Sequence, residues 1–147
     1  MKNYDLIRDN VKFGTRMETP WRNRLKKKYP SICNKNITDH FASMDSISND
    51  NGVIIEHEHK QRNMKHDKYW SIFFNRCKFD KSAKQIQRGI RQIYYWTCTD
   101  GLYYWEFYDI EKQKHEFEYG RNGNFRTGEG ARDIVNIKVE HIKKYED

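Results

Sequence analysis

Apolar positions along the chain fall into short runs separated by polar, Gly-containing stretches, and the spacing inside each run predicts its element. Trp21, Leu25 and Tyr29 recur at i, i+4 and i+8, behind Thr19 as a cap and Pro20 at the first helical position, and Pro30 stops the pattern. This predicts a helix with one packed face and an Arg/Lys face turned outward. Residues 41–47 and 53–60 flank Asn49-Asp50-Asn51-Gly52, the signature of an antiparallel hairpin. A second hairpin is predicted where residues 93–98 and 102–108 flank Thr99-Asp100-Gly101. Its strands carry aromatic residues on both faces, as central strands covered on two sides do.

Between the hairpins, Asp80 as N-cap, Ala83 and Ile86 as an inner face and Gly89 as a stop predict a helix over 81–88. Residues 111–130 read as loop, with glycines at 120, 123, 128 and 130 and at most a short edge strand around Phe117 and Tyr119. Residues 134–139 read as a last strand, and the tail to Asp147 as a short helix or irregular chain. The element order predicts an α/β fold bordering on α+β, with a central mixed sheet of four to five strands flanked by helices. The length of 147 residues suits one domain over 1–147.

Composition sharpens this picture. A mean hydropathy of -1.13 and 36% hydrophobic residues would indicate disorder in an aromatic-poor chain. Here 4 Trp, 10 Tyr and 8 Phe supply a core from few positions. The net charge of +7 lies wholly in the basic N-terminal segment 1–35, which holds ten Lys or Arg against three acids, and the remainder is balanced. Its densest run contains Arg22, Arg24, Lys26, Lys27 and Lys28. Such a run is compatible with a solvated helix face, a localisation signal or phosphate contact, and the overall basicity favours a polyanionic partner.

No apolar run approaches the roughly 18 residues of a membrane span, and the N-terminus lacks a signal-peptide core. The expectation is a soluble, intracellular protein with no membrane partner. Cys33, Cys77 and Cys98 show no CxxC spacing and are expected to be reduced, buried thiols.

The sharpest chemical feature is in the first hairpin. Glu58 and Lys60 share one face of a strand, and pairing across the turn brings Asp45 toward Glu58. Two carboxylates suit Mg²⁺, which keeps several waters and takes one or two protein oxygens plus substrate phosphate. A neighbouring lysine can orient a water and balance phosphate charge. Of the 17 lysines only Lys60 follows an acid by two positions. The plain alternative is an ordinary Glu/Lys pair at a solvated strand end.

The segment from Asp45 to Met64, with Glu58-His59-Lys60 at its centre, resembles the PD-(D/E)XK nuclease superfamily, the restriction-endonuclease-like fold of restriction enzymes, Holliday-junction resolvases and recombination exonucleases. Residues 65–89, the hairpin 93–108 and the closing 135–142 are similar to small members from large DNA viruses and phages, so the resemblance spans about residues 40–142. It implies that Asp45 and Glu58 are metal ligands, that the carbonyl of His59 is a further ligand, and that Lys60 is the catalytic lysine. Glu18 would correspond to an acid on the first helix. Arg62, Tyr69 and Lys78 match flanking positions for phosphate contact or site support. Glu56 shares the face of Glu58 and is a further candidate acid.

The activity so implied is hydrolysis of DNA phosphodiester bonds by a Mg²⁺-dependent endonuclease, with Mn²⁺ as substitute and DNA as partner. A homodimer is compatible with this reading, in cytoplasm, nucleus or a virus-infected host cell. The alternative is a non-catalytic nucleic-acid-binding module on an inactivated nuclease fold. Two departures stand out. Met44 replaces the motif proline, and His57 and His59 occupy positions that are usually aliphatic, so the strand end is either frayed or carries imidazoles hydrogen-bonded inside.

Rival patterns carry less. His57 and His59, with His66 nearby, invite a zinc or iron site, but the two face away from Glu58 and Lys60. The aromatic hairpin is a stacking platform or, more simply, core. The Gly-rich run after Tyr119 lacks phosphate-loop spacing and leaves Arg121 and Arg126 as backbone contacts.

Overall fold

A computed structural model describes residues 20–34, 44–124 and 129–147. Helix α1 covers 20–25 and runs into a turn over 26–28, where the Tyr29 N–H still donates to the Leu25 carbonyl at 2.8 Å. Trp21, Leu25 and Tyr29 are all buried, as their spacing predicts. The predicted cap Thr19 and the candidate ligand Glu18 lie outside the described residues.

Strands β1 (Cys33–Asn34), β2 (Ser46–Asp50), β3 (Val53–Gln61), β5 (Arg91–Cys98), β6 (Gly101–Phe107) and β9 (Lys143–Lys144) form a six-stranded sheet in the order β1-β2-β3-β5-β6-β9. A second sheet has the order β4-β8-β7, from β4 (Ser71–Asn75), β8 (Glu129–Lys138) and β7 (Phe117–Asn124). All pairings are antiparallel except β3 with β5. The chain passes from β3 to β5 through β4 and helix α2 (Arg76–Gln87), the kind of crossover a parallel pair needs. The architecture is thus mixed α and β, strand-rich with few helices.

The β2–β3 turn forms at Asn51 and Gly52, whose φ angles of +51° and +90° give the primed turn that matches strand twist. The pleat then sends successive β3 side chains to opposite faces. On one face Ile55, with Ile93, Tyr95 and Leu102, packs against Trp21, Leu25 and Tyr29 of the N-terminal helix and turn. On the other, Tyr94, Trp96, Trp105 and Phe107 meet Phe79 of α2 and Ile72, Phe74, Val135 and Ile137 of the second sheet. The aromatic hairpin is therefore core on both sides.

Several expectations are corrected. The strand expected over 41–47 begins at Ser46, and residues 41–43 lie outside the description. Helix α2 starts five residues before the expected Lys81, because the Asn75 side chain accepts from the Cys77 N–H at 2.7 Å. Asp80 sits inside that helix, 3.8 Å from Arg76. The short edge strand expected around Phe117 and Tyr119 is an edge strand of the second sheet but runs on through residues 120–124, expected as loop, while β4 was not expected. The tail returns to the core, where Tyr145 is buried and its N–H donates to the Leu102 carbonyl at 2.8 Å. Cys33 and Cys77 are exposed, and only Cys98 is a buried thiol, pushed up to about 11 by burial and by the Asp100 charge.

Candidate active site

Strand β3 places Glu56, Glu58 and Lys60 on the α2 face and His57 and His59 on the α1 face. The register pairs Ser46 with His57, so Asp45 lies one position beyond, across from Glu58. The Asp45 carboxylate turns back onto β3, where Oδ2 accepts the His59 N–H at 2.8 Å. An extended residue presents its N–H and C=O on the same side of the strand, so the His59 carbonyl leaves toward Asp45 as well.

Glu58 is the most constrained group. Its side chain is 2% exposed, and its Oε1 is shared by Lys78, in close contact, and Lys60, with Nζ at 3.5 Å. Its Oε2 is buried and has no hydrogen-bond partner. Burial, reinforced by the Asp45 charge, pushes the carboxyl up to about 7 against the opposing pull of Lys78 and Lys60. Lys78 reaches it because the Asn75 cap starts α2 early and Phe79, fully buried against Phe107 at 4.5 Å, fixes the helix on the sheet.

Glu56 is also buried, but its Oε1 accepts from Gln85 and Gln92, both at 2.9 Å. Gln92 also accepts from Ser82 at 2.9 Å, and Ser82 contacts the Tyr94 hydroxyl. This network ties α2 to β3 and β5 from below the carboxylate pair, and its amides gave no sequence signal.

The imidazoles are hydrogen-bonded inside. His57 contacts Ser48 at 2.7 Å and Tyr95 at 2.9 Å, and His59 contacts Thr97 at 2.7 Å while stacking on Trp21 at 4.8 Å. Burial holds them neutral, near 3 for His57 with help from Arg91, and near 4 for His59 with help from Lys60 and Arg22. His66 is brought instead to Asp100, which accepts from its backbone N–H at 2.9 Å and contacts Nδ1 at 2.6 Å. With Asp67 these are, among the described residues, the one His/Asp group whose ligand atoms lie within 4.8 Å of each other. Because both contacts with Asp100 are already made, the group reads as a clasp between the post-β3 loop and the β5–β6 turn.

The basic residues of the first helix separate. Arg22 donates to Ser46 at 3.1 Å beside the hairpin, and Arg24 pairs with Asp147 at 2.9 Å. Lys26 and Lys27 are exposed, and the Lys28 ammonium lies 5.8 Å from the Tyr145 ring centre. Arg62 sits half-buried at the end of β3, and Tyr69 is exposed. Of the Gly-rich stretch, Arg121 pairs with Asp133 at 3.3 Å, and Arg126 is outside the described residues. No helix among the described residues is long and apolar enough to cross a membrane.

A buried carboxylate oxygen without a donor is costly unless a cation reaches it. Glu58 Oε2 and the Asp45 carboxylate, whose charge acts on Glu58, offer oxygens of the kind a hard divalent ion takes. The site thus fits such an ion. No family model, curated protein or solved structure matches the chain.

Proposed function

We propose that the chain is a metal-dependent nuclease that hydrolyses DNA phosphodiester bonds on a restriction-endonuclease-like fold. The observation that carries this reading is Glu58: a carboxylate buried beside Asp45, with one oxygen matched to two lysines and the other to nothing. The arrangement of α1 and α2 on opposite faces of a mixed sheet, with Glu58 on β3 and Asp45 just before the antiparallel neighbour β2, is in keeping with the same family resemblance.

Asp45, Glu58 and the His59 carbonyl would hold Mg²⁺ or Mn²⁺, which when bound supplies a Lewis acid and an acidified water. Lys60, half in solvent and 3.5 Å from Glu58, aims its ammonium where a water and a phosphate oxygen would meet. There it hydrogen-bonds the water and balances charge gathering on the phosphate. Lys78 opposes the burial that raises the Glu58 carboxyl and supplies a second positive group at the rim. The exposed Lys26 and Lys27 would add salt-sensitive contacts to phosphates outside the centre.

The test is cleavage of labelled DNA with Mg²⁺ or Mn²⁺ by the wild-type chain and by Lys60→Ala. The expected result is metal-dependent cleavage that Lys60→Ala abolishes while DNA binding in EDTA is retained. Binding without cleavage under every divalent ion tried would overturn the enzyme reading in favour of a non-catalytic module.

A further inference from the structure

The segment that leaves β3 and enters α2 has a composition that neither the core nor the carboxylate pair explains. Between Lys60 and Lys78, which both contact Glu58, it carries four Lys or Arg (Arg62, Lys65, Lys68 and Arg76) against one acid, Asp67. Within it Tyr69, Trp70 and Phe73 are 58%, 56% and 38% exposed. Alternation in β4 sends Ile72 and Phe74 into the core and leaves Phe73 outside. Cations flank these rings: the Arg62 guanidinium is 5.9 Å from the Phe73 ring centre, and the Lys68 ammonium is 5.5 Å from that of Tyr69.

This surface is continuous with the candidate site. Arg62 follows Lys60 by two residues, its N–H donates to the Thr97 carbonyl at 2.9 Å, and its side chain donates to the Phe73 carbonyl at 3.5 Å. At the other end of the segment, Lys78 contacts Glu58.

We propose that Tyr69, Trp70 and Phe73 form a stacking platform for unpaired bases, so that the bound substrate is single-stranded DNA or an unpaired stretch of it. Paired bases bury their faces against one another, and only an unpaired strand offers them to protein rings while its phosphates meet Arg62, Lys65 and Lys68. A duplex offers phosphates and groove edges but keeps its base faces stacked. Where the bound strand is cut rests on the nuclease reading; the binding itself does not.

Trp70 makes the test direct, because Trp21, Trp96 and Trp105 are 4%, 1% and 2% exposed. The 147-residue chain in EDTA is titrated with an oligothymidine strand and with a duplex of equal length, following tryptophan fluorescence and the anisotropy of labelled DNA. The expected result is tighter binding of the single strand, quenching that Trp70→Phe removes, and a loss of about tenfold or more in single-strand affinity for Trp70→Ala. Duplex affinity and the melting temperature should be unchanged in that variant. Equal affinity for both forms, or an unaltered single-strand affinity in a Tyr69→Ala/Trp70→Ala/Phe73→Ala triple variant, would overturn the platform. So would a self-association constant that Trp70→Ala weakens, which would assign the surface to a second copy. Cleavage lost in Lys60→Ala with no stacking signal would sink the platform and keep the nuclease; stacking without cleavage would do the reverse.

Discussion

The backbone N–H of His59 donates to Oδ2 of Asp45 at 2.8 Å, so the strand that carries Glu58 also orients the acid beside it. Asp45→Asn can keep this hydrogen bond through its amide oxygen but removes the charge. The expected outcome is a melting temperature close to wild type with metal-dependent cleavage lowered by about a hundredfold or more. Thermal unfolding and initial cleavage rates on one preparation check it, and full activity in the variant would remove Asp45 from the ligand set.

Lys78 and a divalent cation are drawn to the same carboxylate. In the alkaline range where Glu58 is ionised in both proteins, Lys78→Met should bind Mn²⁺ more tightly, by about tenfold, because one positive charge next to the ion is gone; toward neutral pH the advantage should vanish, because the variant has also lost a cation that lowers the Glu58 carboxyl. Titration calorimetry with Mn²⁺ alone measures this. Weaker binding would show that Lys78 supports the ion rather than opposing it.

Acid should destabilise the metal-free protein from pH 6.5 downward. His57 and His59, held near 3 and 4, take up protons in the unfolded chain first, so each removes stability as pH falls, by up to about 1.4 kcal/mol per pH unit. Glu58 acts in the opposite sense. Its folded value near 7 lies above the ordinary 4.5, so the folded state holds the extra proton in that window and gains stability as pH falls. Two imidazoles outweigh one carboxyl, and Glu58→Gln should make the acid-side decline steeper. Urea unfolding in EDTA between pH 4.5 and 7.5 reads both slopes, and a flat profile would contradict the buried neutral imidazoles.

Phe79 joins α2 to both sheets, stacked on Phe107 and in contact with Phe74 and Phe117. Phe79→Ala should cost about 3 to 5 kcal/mol. Loss of less than about 1 kcal/mol in chemical denaturation would mean that the helix is held mainly by the Glu56, Gln85 and Gln92 hydrogen bonds.

Features made by near neighbours were legible in the sequence. The Asn51-Gly52 and Thr99-Asp100 turns, the Trp21/Leu25/Tyr29 face and the joint placement of Glu58 and Lys60 each need only a few consecutive residues. The start of α2 was misplaced because its first turn holds Arg76, Cys77 and Lys78, without apolar periodicity, and the side chain that caps it belongs to Asn75. Only the start of β7, around Phe117 and Tyr119, is legible as strand, because the Gly and Asn that follow weaken strand propensity, whereas pairing with β8 satisfies the backbone regardless of side chain. Strand β4 pairs with β8 across separations from Asn75↔Ile134 to Ser71↔Lys138, a register no local pattern encodes. The contact of Lys78 with Glu58 needed that same long-range placement, so the sequence identified Lys78 as a flanking cation without its partner.

The two acids of the site belong to one short hairpin, but the cation closest to Glu58 arrives on a separate helix. The pair is therefore completed by tertiary packing and not by the hairpin alone. Without the crossover helix, Lys60 would be the one cation left on the Glu58 carboxylate among the ion pairs of the described residues. What keeps two acids side by side at this sheet end is thus the docking of a helix from outside the hairpin.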